Sequence, residues 1–460
     1  MLYKKEKKMK NEITLKEKIA YVMANLGNIP IQTVVGTYLM IFYVTVCGID
    51  PAVCATLFLI ARICDAINDP FIGFLIDRIP TTKFGHFRKS LIVGSVLCGI
   101  NFLLMWYGPL MLPAGKVVIA YITYLLLGVL FPVMDISLNS LLPVMTTNID
   151  ERNGLGALKG FFYSVGSTVI AMIAPLIIGD TSKRDGYVVL IALVAAIVII
   201  CSVVGALGVK ERVVSSPSER YSIKDLFKII VQKPVIISFL TILLYMGTLF
   251  MAGTVEIFFF SYILHDLKMY SVLILVTMIV SILPMALLPK VVGRFGKKAV
   301  FTFGLAVYGV VPLIRFLNPL NIPLLVISYV ALGIGSGFVS PLIYIIQADN
   351  TDYVKVHLHK SAEGAIASLN SFITKLSMGV AGAIPGYLLA MVNFDSTLDP
   401  SIAQPAGVNT VIMLCLIGIP AVLCVVSAVI FGAFYPLTKE KLLKQEEEVA
   451  RLREANSSSN

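Results

Sequence analysis

Along this chain the apolar positions neither alternate nor stripe. They run in blocks of about twenty residues separated by short polar breaks, the length a helix needs to cross about 30 Å of hydrocarbon. Twelve blocks are read, near residues 17–45, 52–77, 89–108, 115–143, 154–180, 186–209, 235–264, 270–290, 299–318, 321–349, 360–392 and 407–435. In lipid each backbone N–H and C=O must be satisfied inside its own segment, so the blocks predict helices and the fold class is an all-α polytopic membrane protein. The longest polar break holds Ser215-Ser216-Pro217-Ser218 and reads as a cytoplasmic linker. The expected organisation is a cytoplasmic tail (1–16), a six-helix bundle (17–209), the linker (210–234), a second six-helix bundle (235–435) and a second cytoplasmic tail (436–460). Basic clusters follow the second block of each half, Lys83-Phe84-Gly85-His86-Phe87-Arg88-Lys89 and Arg294-Phe295-Gly296-Lys297-Lys298. Such paired positions point to an internal duplication and two pseudo-symmetric bundles.

Composition narrows the class further. At 57% hydrophobic and 14% charged the chain is unlike a water-soluble domain. Its formal charge of +10 suggests nucleic acid only until the Lys and Arg are placed. They concentrate in the tails and even-numbered breaks, the pattern that orients both termini toward the cytoplasm, so no nucleic-acid partner is expected. Met1 to Lys18 is basic and lacks a cleavage site after a short apolar core, so the first helix reads as a retained anchor. The seven cysteines show no CxxC or Cys/His ligand spacing and read as packing residues. No Gly-rich phosphate loop, nucleophile triad or metal-spaced histidines stand out, so neither an enzyme nor a metal site is expected. Three other features read blandly: Trp106 as an interfacial anchor, Arg315 as a snorkelling cation, and Lys439 to Arg453 as a solvated, frayed helix.

Charges inside a span are expensive, so they are where function is sought. Arg62-Ile63-Cys64-Asp65-Ala66-Ile67-Asn68-Asp69-Pro70 places Asp65, Asn68 and Asp69 at three- and four-residue spacing on one helical face, with Arg62 a turn below. Grouped oxygens of this kind suit a small hard cation or a proton. A single Arg compensates one acid and leaves the other needing a proton or cation. Glu256 is a second intramembrane acid, within Gly253-Thr254-Val255-Glu256-Ile257-Phe258. Asn25, Asn28 and Gln32 share a face of the first helix, either to contact a solute or to hold the bundle together.

The stretch Thr56 to Pro70, followed by Gly73 and Phe84-Gly85-His86-Phe87-Arg88, resembles the second helix and following loop of the glycoside-pentoside-hexuronide:cation symporters of the major facilitator superfamily. Met134-Asp135-Ile136, Ala348-Asp349 with Asp352-Tyr353, Glu363 with Lys375, and Phe434-Tyr435-Pro436-Leu437-Thr438 extend the resemblance over nearly the whole chain. It implies the major facilitator fold and uptake of a sugar, glycoside or hexuronide driven by H⁺ or Na⁺, with Li⁺ as a further coupling ion and no other cofactor. By resemblance Asp65, Asn68 and Asp69 bind the cation. The fourth-helix position that supplies a hydroxyl in the family is Pro132 here, which favours a proton. Sugar contacts depart too: the first-helix Lys-Asp pair of the family's type member is Asn28-Ile29, a fourth-helix tryptophan is Asn139, a fifth-helix arginine is Gly160 beside Lys159, and a tenth-helix tryptophan is Ser340. Asp135 and Lys375 persist, with Ser371 replacing a threonine.

The candidate solute contacts are therefore Asp135, Lys375, Asn28, Gln32, Asn139, Lys159, Ser371 and Glu256. A gating network is expected from Arg62, Asp77, Arg78, Arg152, Asp349, Asp352 and Glu363. The expected partners are a small-molecule solute and membrane lipids, with the chain acting as a monomer in a bacterial inner membrane. Two rivals stay open: a cation-coupled carrier of a lipid-like or other organic solute, and a non-transporting sensor or channel.

Overall fold

The computed structural model describes residues 13–77, 85, 87–146, 149–212, 228–358, 363–396, 398, 400, 402–405, 407–442, 444–445 and 447–448. Among them lie twelve long helices: α1 (Leu15–Ile41), α2 (Pro51–Asp77), α3 (Phe87–Met111), α4 (Lys116–Met145), α5 (Ile149–Ile178), α6 (Arg184–Gly208), α7 (Lys233–Phe258), α8 (Leu267–Phe295), α9 (Lys297–Val310), α10 (Ile322–Leu358), α11 (Glu363–Met391) and α12 (Val408–Met413 continuing through Leu414–Gly418 to Ile419–Phe434). Eleven are long and apolar enough to cross a bilayer. The twelfth, α2, carries Arg62 and Asp65 at mid-length. The chain forms two compact units, Met1–Ser218 with Ser396–Asp399, and Glu219–Asp395 with Pro400–Asn460.

Each unit shows why lipid is its solvent. Along α6, Leu190, Val194 and Val198 are buried, while Val189, Leu193, Ile200, Val204 and Leu207 are exposed. A helix apolar on both faces has one face against protein and the other against hydrocarbon. With no hydrophobic drive between helices in lipid, close backbone approach takes over. Gly205 of α6 lies so near α1 that a Cβ there would stand 2.4 Å from the Ala24 backbone nitrogen. The entry of α1 is fixed by a capping box in which Thr14 and Glu17 satisfy each other's backbone N–H groups.

The first helix of each unit ends alike. α1 continues as a π-helical turn, Phe42–Val46, and α7 as Phe259–Ile263. Cys47 N–H then donates to Phe42 at 3.1 Å and Ile49 to Tyr43 at 2.8 Å, matched by Leu264 to Phe259 at 3.0 Å and Asp266 to Phe260 at 2.9 Å. The chain reverses through positive φ at Gly48 and at His265. Asp50 then accepts the N–H of Ala52, and Asp266 that of Lys268, at the starts of α2 and α8.

Three bland readings are corrected. Trp106 is not an interfacial anchor: it is fully buried, its ring 4.8 Å from that of Phe42 and 6.1 Å from that of Tyr187. The π turn that carries Phe42 supplies this pocket. Arg315 does not snorkel, because the 3₁₀ segment Val311–Phe316 after α9 folds it inward until 2% of it is exposed. Nor is the start of the C-terminal tail wholly solvated. Leu437 and Leu442 join the core of the second unit, and Gln445 is buried, donating to the Asp349 carbonyl at 2.8 Å. Lys298 holds the Tyr435 carbonyl at 2.9 Å and so fixes where the tail leaves α12.

Candidate functional site

In the first unit α1, α4 and α5 bring four predicted solute residues into one chain of hydrogen bonds. Asn28 Nδ2 donates to Asp135 Oδ1 at 2.5 Å, and Asn139 Nδ2, one turn along α4, donates to Asp135 Oδ2 at 3.0 Å. Lys159 Nζ of α5 donates to Asn139 Oδ1. Spacing explains the assembly: Asp135 and Asn139 are four apart and share a face of α4. The buried Asn28 Oδ1 has no partner among the described residues. Gln32 is exposed and accepts from Tyr163 at 3.5 Å. Asn25 instead returns its amide to the Tyr21 carbonyl of its own helix at 2.8 Å.

The second cluster in this unit is charged. Arg62 Nη1 lies 2.7 Å from Asp65 Oδ2, and Nη2 donates to the Tyr124 hydroxyl at 3.0 Å. The guanidinium also stands 5.9 Å from the Tyr124 ring centre. Asp65 is 6% exposed. It fits because the facing residue of α4 is Gly128, where a Cβ would come within 2.0 Å of Asp65 Oδ1. Asn68 is half-buried on the same helix. The side chains of Asp69, Asp77, Arg152 and Glu363, and all of Arg78, lie outside the described residues. Among the described residues no group of three or more His, Cys, Asp or Glu is placed to hold a metal ion.

The second unit has its own pair of charges, a half-buried acid and a buried arginine. The Tyr329 hydroxyl of α10 donates to Glu256 Oε1 of α7. The Arg315 guanidinium lies 4.4 Å from the Phe259 ring centre and 5.8 Å from that of Tyr329. Its Nε and Nη2 have no hydrogen-bond partner among the described residues. On α11, Ser371 is exposed and Lys375 half-buried, one turn apart. Asp349 is paired with Lys297 at 2.7 Å, and Asp352, three residues on, is half-buried. Both acids belong to α10 itself, which runs on to Leu358 beyond the span expected to end at 349.

Sequence reasoning passed over Tyr124, Gly128, Tyr329 and a buried triad in which Asn350 donates to Ser238 at 2.6 Å and accepts from Tyr435 at 3.1 Å. It also missed the pair of Glu17 with Arg212 at 2.7 Å. A signal was present for the first three: Tyr124-Leu125-Leu126-Leu127-Gly128 and Tyr329-Val330-Ala331-Leu332-Gly333 repeat Tyr-x-x-Leu-Gly in the fourth helix of each half. Gly128 abuts α2, and a Cβ on Gly333 would meet the Thr277 carbonyl of α8 at 2.7 Å, so the repeat packs the fourth helix on the second in both units.

A sequence model of the MFS/sugar transport protein family matches residues 20–439. The isoprimeverose transporter of Lactiplantibacillus pentosus is 32% identical over 83% of this chain and 81% of its own. The glucuronide carrier protein homolog of Escherichia coli (strain K12) is 26% identical over 94% of this chain and 95% of its own. Among solved structures, the nucleoside transporter NupG superposes with a TM-score of 0.64 at 14% identity, covering 91% of this chain and 99% of that one. The D-xylose-proton symporter gives 0.62 at 14% identity, over 93% and 98%. At such identities these likenesses speak to the fold alone, and that fold is the one seen here.

Proposed function

Since the chain belongs to the MFS/sugar transport protein family, we propose that it is a secondary active symporter that couples cation entry to uptake of a glycoside or hexuronide by alternating access. The observation that carries the reading is the buried Asp65 carboxylate, held by Arg62 on one oxygen and seated against Gly128 with the other. One arginine neutralises it, and a further positive charge arriving at α2 changes the balance of that cluster. The coupling ion in this reading is a proton, because Pro132 offers no side-chain oxygen where a cation site of this family draws a hydroxyl.

Asn28, Asp135, Asn139 and Lys159 form the solute face of the first unit, with Gln32 at its edge. Amide, carboxylate and ammonium groups in series suit several hydroxyls at once, and the Lys159 ammonium suits the carboxylate of a uronide. Asp77, Arg78, Arg152, Asp349, Asp352 and Glu363 belong to the gating network. Both termini are cytoplasmic, and the chain works as a monomer.

The test is uptake of labelled glycosides and uronides into proteoliposomes under imposed H⁺, Na⁺ or Li⁺ gradients. Accumulation driven by the H⁺ gradient and lost in Asp65→Asn and Asp135→Asn is the expected result. Accumulation of no sugar by folded protein overturns the reading and leaves a different organic solute.

A further inference from the structure

Each unit encloses an arginine, a carboxylic acid and a tyrosine, and the tyrosines are counterparts, Tyr124 and Tyr329 of the Tyr-x-x-Leu-Gly repeat. The guanidinium-to-ring distances are nearly equal, 5.9 Å for Arg62 over Tyr124 and 5.8 Å for Arg315 over Tyr329. The other parts come from different helices. The acid is on α2 in the first unit and on α7 in the second. The arginine is on α2 in the first and after α9 in the second, where it faces Phe259, as Trp106 of α3 faces Phe42. The second unit thus rebuilds an arginine–acid–tyrosine cluster from side chains that the first does not use.

We propose that Glu256 is a second protonation site, taking up and releasing a proton during transport, with Arg315 as its fixed counter-charge and Tyr329 as the link between them. The proton bonds to a carboxylate oxygen of Glu256 and leaves from the same atom, and Tyr329 keeps its own. The cluster then alternates between zero charge, with Glu256 ionised beside Arg315, and one positive charge. A silent, permanently neutral acid fits poorly with what lies behind it. Burying an arginine with two nitrogens unpartnered is costly, and Glu256 is the anion whose field reaches it. Tyr270 of α8 and Tyr308 of α9 also lie within the electrostatic reach of Glu256, and with Tyr329 and Arg315 they make up its titratable surroundings. Glu256 itself is half-buried.

The inference rests on the symport reading for the use made of the proton, and the protonation is measurable with no sugar present. The experiment is pH-titrated infrared difference spectroscopy on the full chain in liposomes. The expected result is a protonated-carboxyl C=O band that grows on acidification and disappears in Glu256→Gln. Glu256→Asp retains a band at altered frequency, which separates loss of the acid from loss of the fold. Tyr329→Phe retains it at higher frequency, because the carbonyl has lost a donor. A titrating spectrum that is the same in native protein and folded Glu256→Gln overturns the proposal. Proton flux per sugar is then compared in the two proteins, where Glu256→Gln moves fewer protons and an unchanged ratio denies the site a part in coupling. If native protein accumulates no sugar, the symport reading fails while the spectrum still decides the protonation.

Discussion

In the first unit Arg62 reaches Asp65 directly at 2.7 Å, and Tyr124 only completes its hydrogen bonding. In the second, Tyr329 takes the Glu256 carboxylate and Arg315 is left with ring faces. The same three side-chain types therefore give two electrostatic devices. A direct ion pair in a low dielectric is held tightly and resists losing either partner. An acid and a cation separated by a tyrosine feel each other's charge without sharing a short contact, so one can change its protonation while the other stays in place.

The comparison is broken most readily at the arginines. Arg62→Met strands Asp65 and is expected to cost about 3–5 kcal/mol, the usual penalty for breaking a buried pair. Arg315→Met removes a cation that lacks full hydrogen bonding and leaves Glu256 its Tyr329 donor, so its cost is expected to be under half as large. Thermal unfolding of both variants in the same detergent checks this, and equal losses would erase the distinction between the units. Next come the glycines of the repeat. Gly128→Ala and Gly333→Ala each force a Cβ into occupied space and are expected to cost about 1–3 kcal/mol. Only Gly128→Ala displaces the Asp65 carboxylate, so only it should alter the ion dependence of uptake. Tyr124→Phe is milder, about 1 kcal/mol, since Arg62 keeps Asp65. Double-mutant cycles with Arg62→Met read the coupling directly.

The smallest effect belongs to Asp180, in the loop between α5 and α6. Burial pushes its carboxyl up, but hydrogen bonds from Ser182 and Lys183 outweigh this and hold it below the ordinary aspartate range. A lowered folded value contributes stability above that range and loses it as pH falls through the folded value. The small stability gap between native protein and Asp180→Asn should accordingly close on acidification and persist at neutral pH.

Helix number and the rough limits of the spans were legible because lipid imposes one long apolar block per crossing. Asp135, Asn139 and Lys159 were reached only through the family resemblance, and the hydrogen bonds from Asn28 to Lys159 are what join them. Arg315 was misread because snorkelling is judged from position along the helix, whereas its direction is set by a 3₁₀ segment that hydropathy does not register. Trp106 failed for a related reason, its pocket being made by a π turn on another helix. Tyr124 and Tyr329 were overlooked because tyrosine is ordinary in a span, and only the alignment of the two halves through Tyr-x-x-Leu-Gly singles them out. The Glu17–Arg212 pair joins residues 195 positions apart, a contact no local pattern announces.

The π turns that close α1 and α7 also bear on the history of the gene. A π turn takes up one residue more than the α-helical turn it replaces. Both leading helices carry it at the same place, followed by the same positive-φ reversal and the same aspartate cap. A single insertion inherited by both halves would account for the match, whereas the charged clusters of the two units are built from different helices.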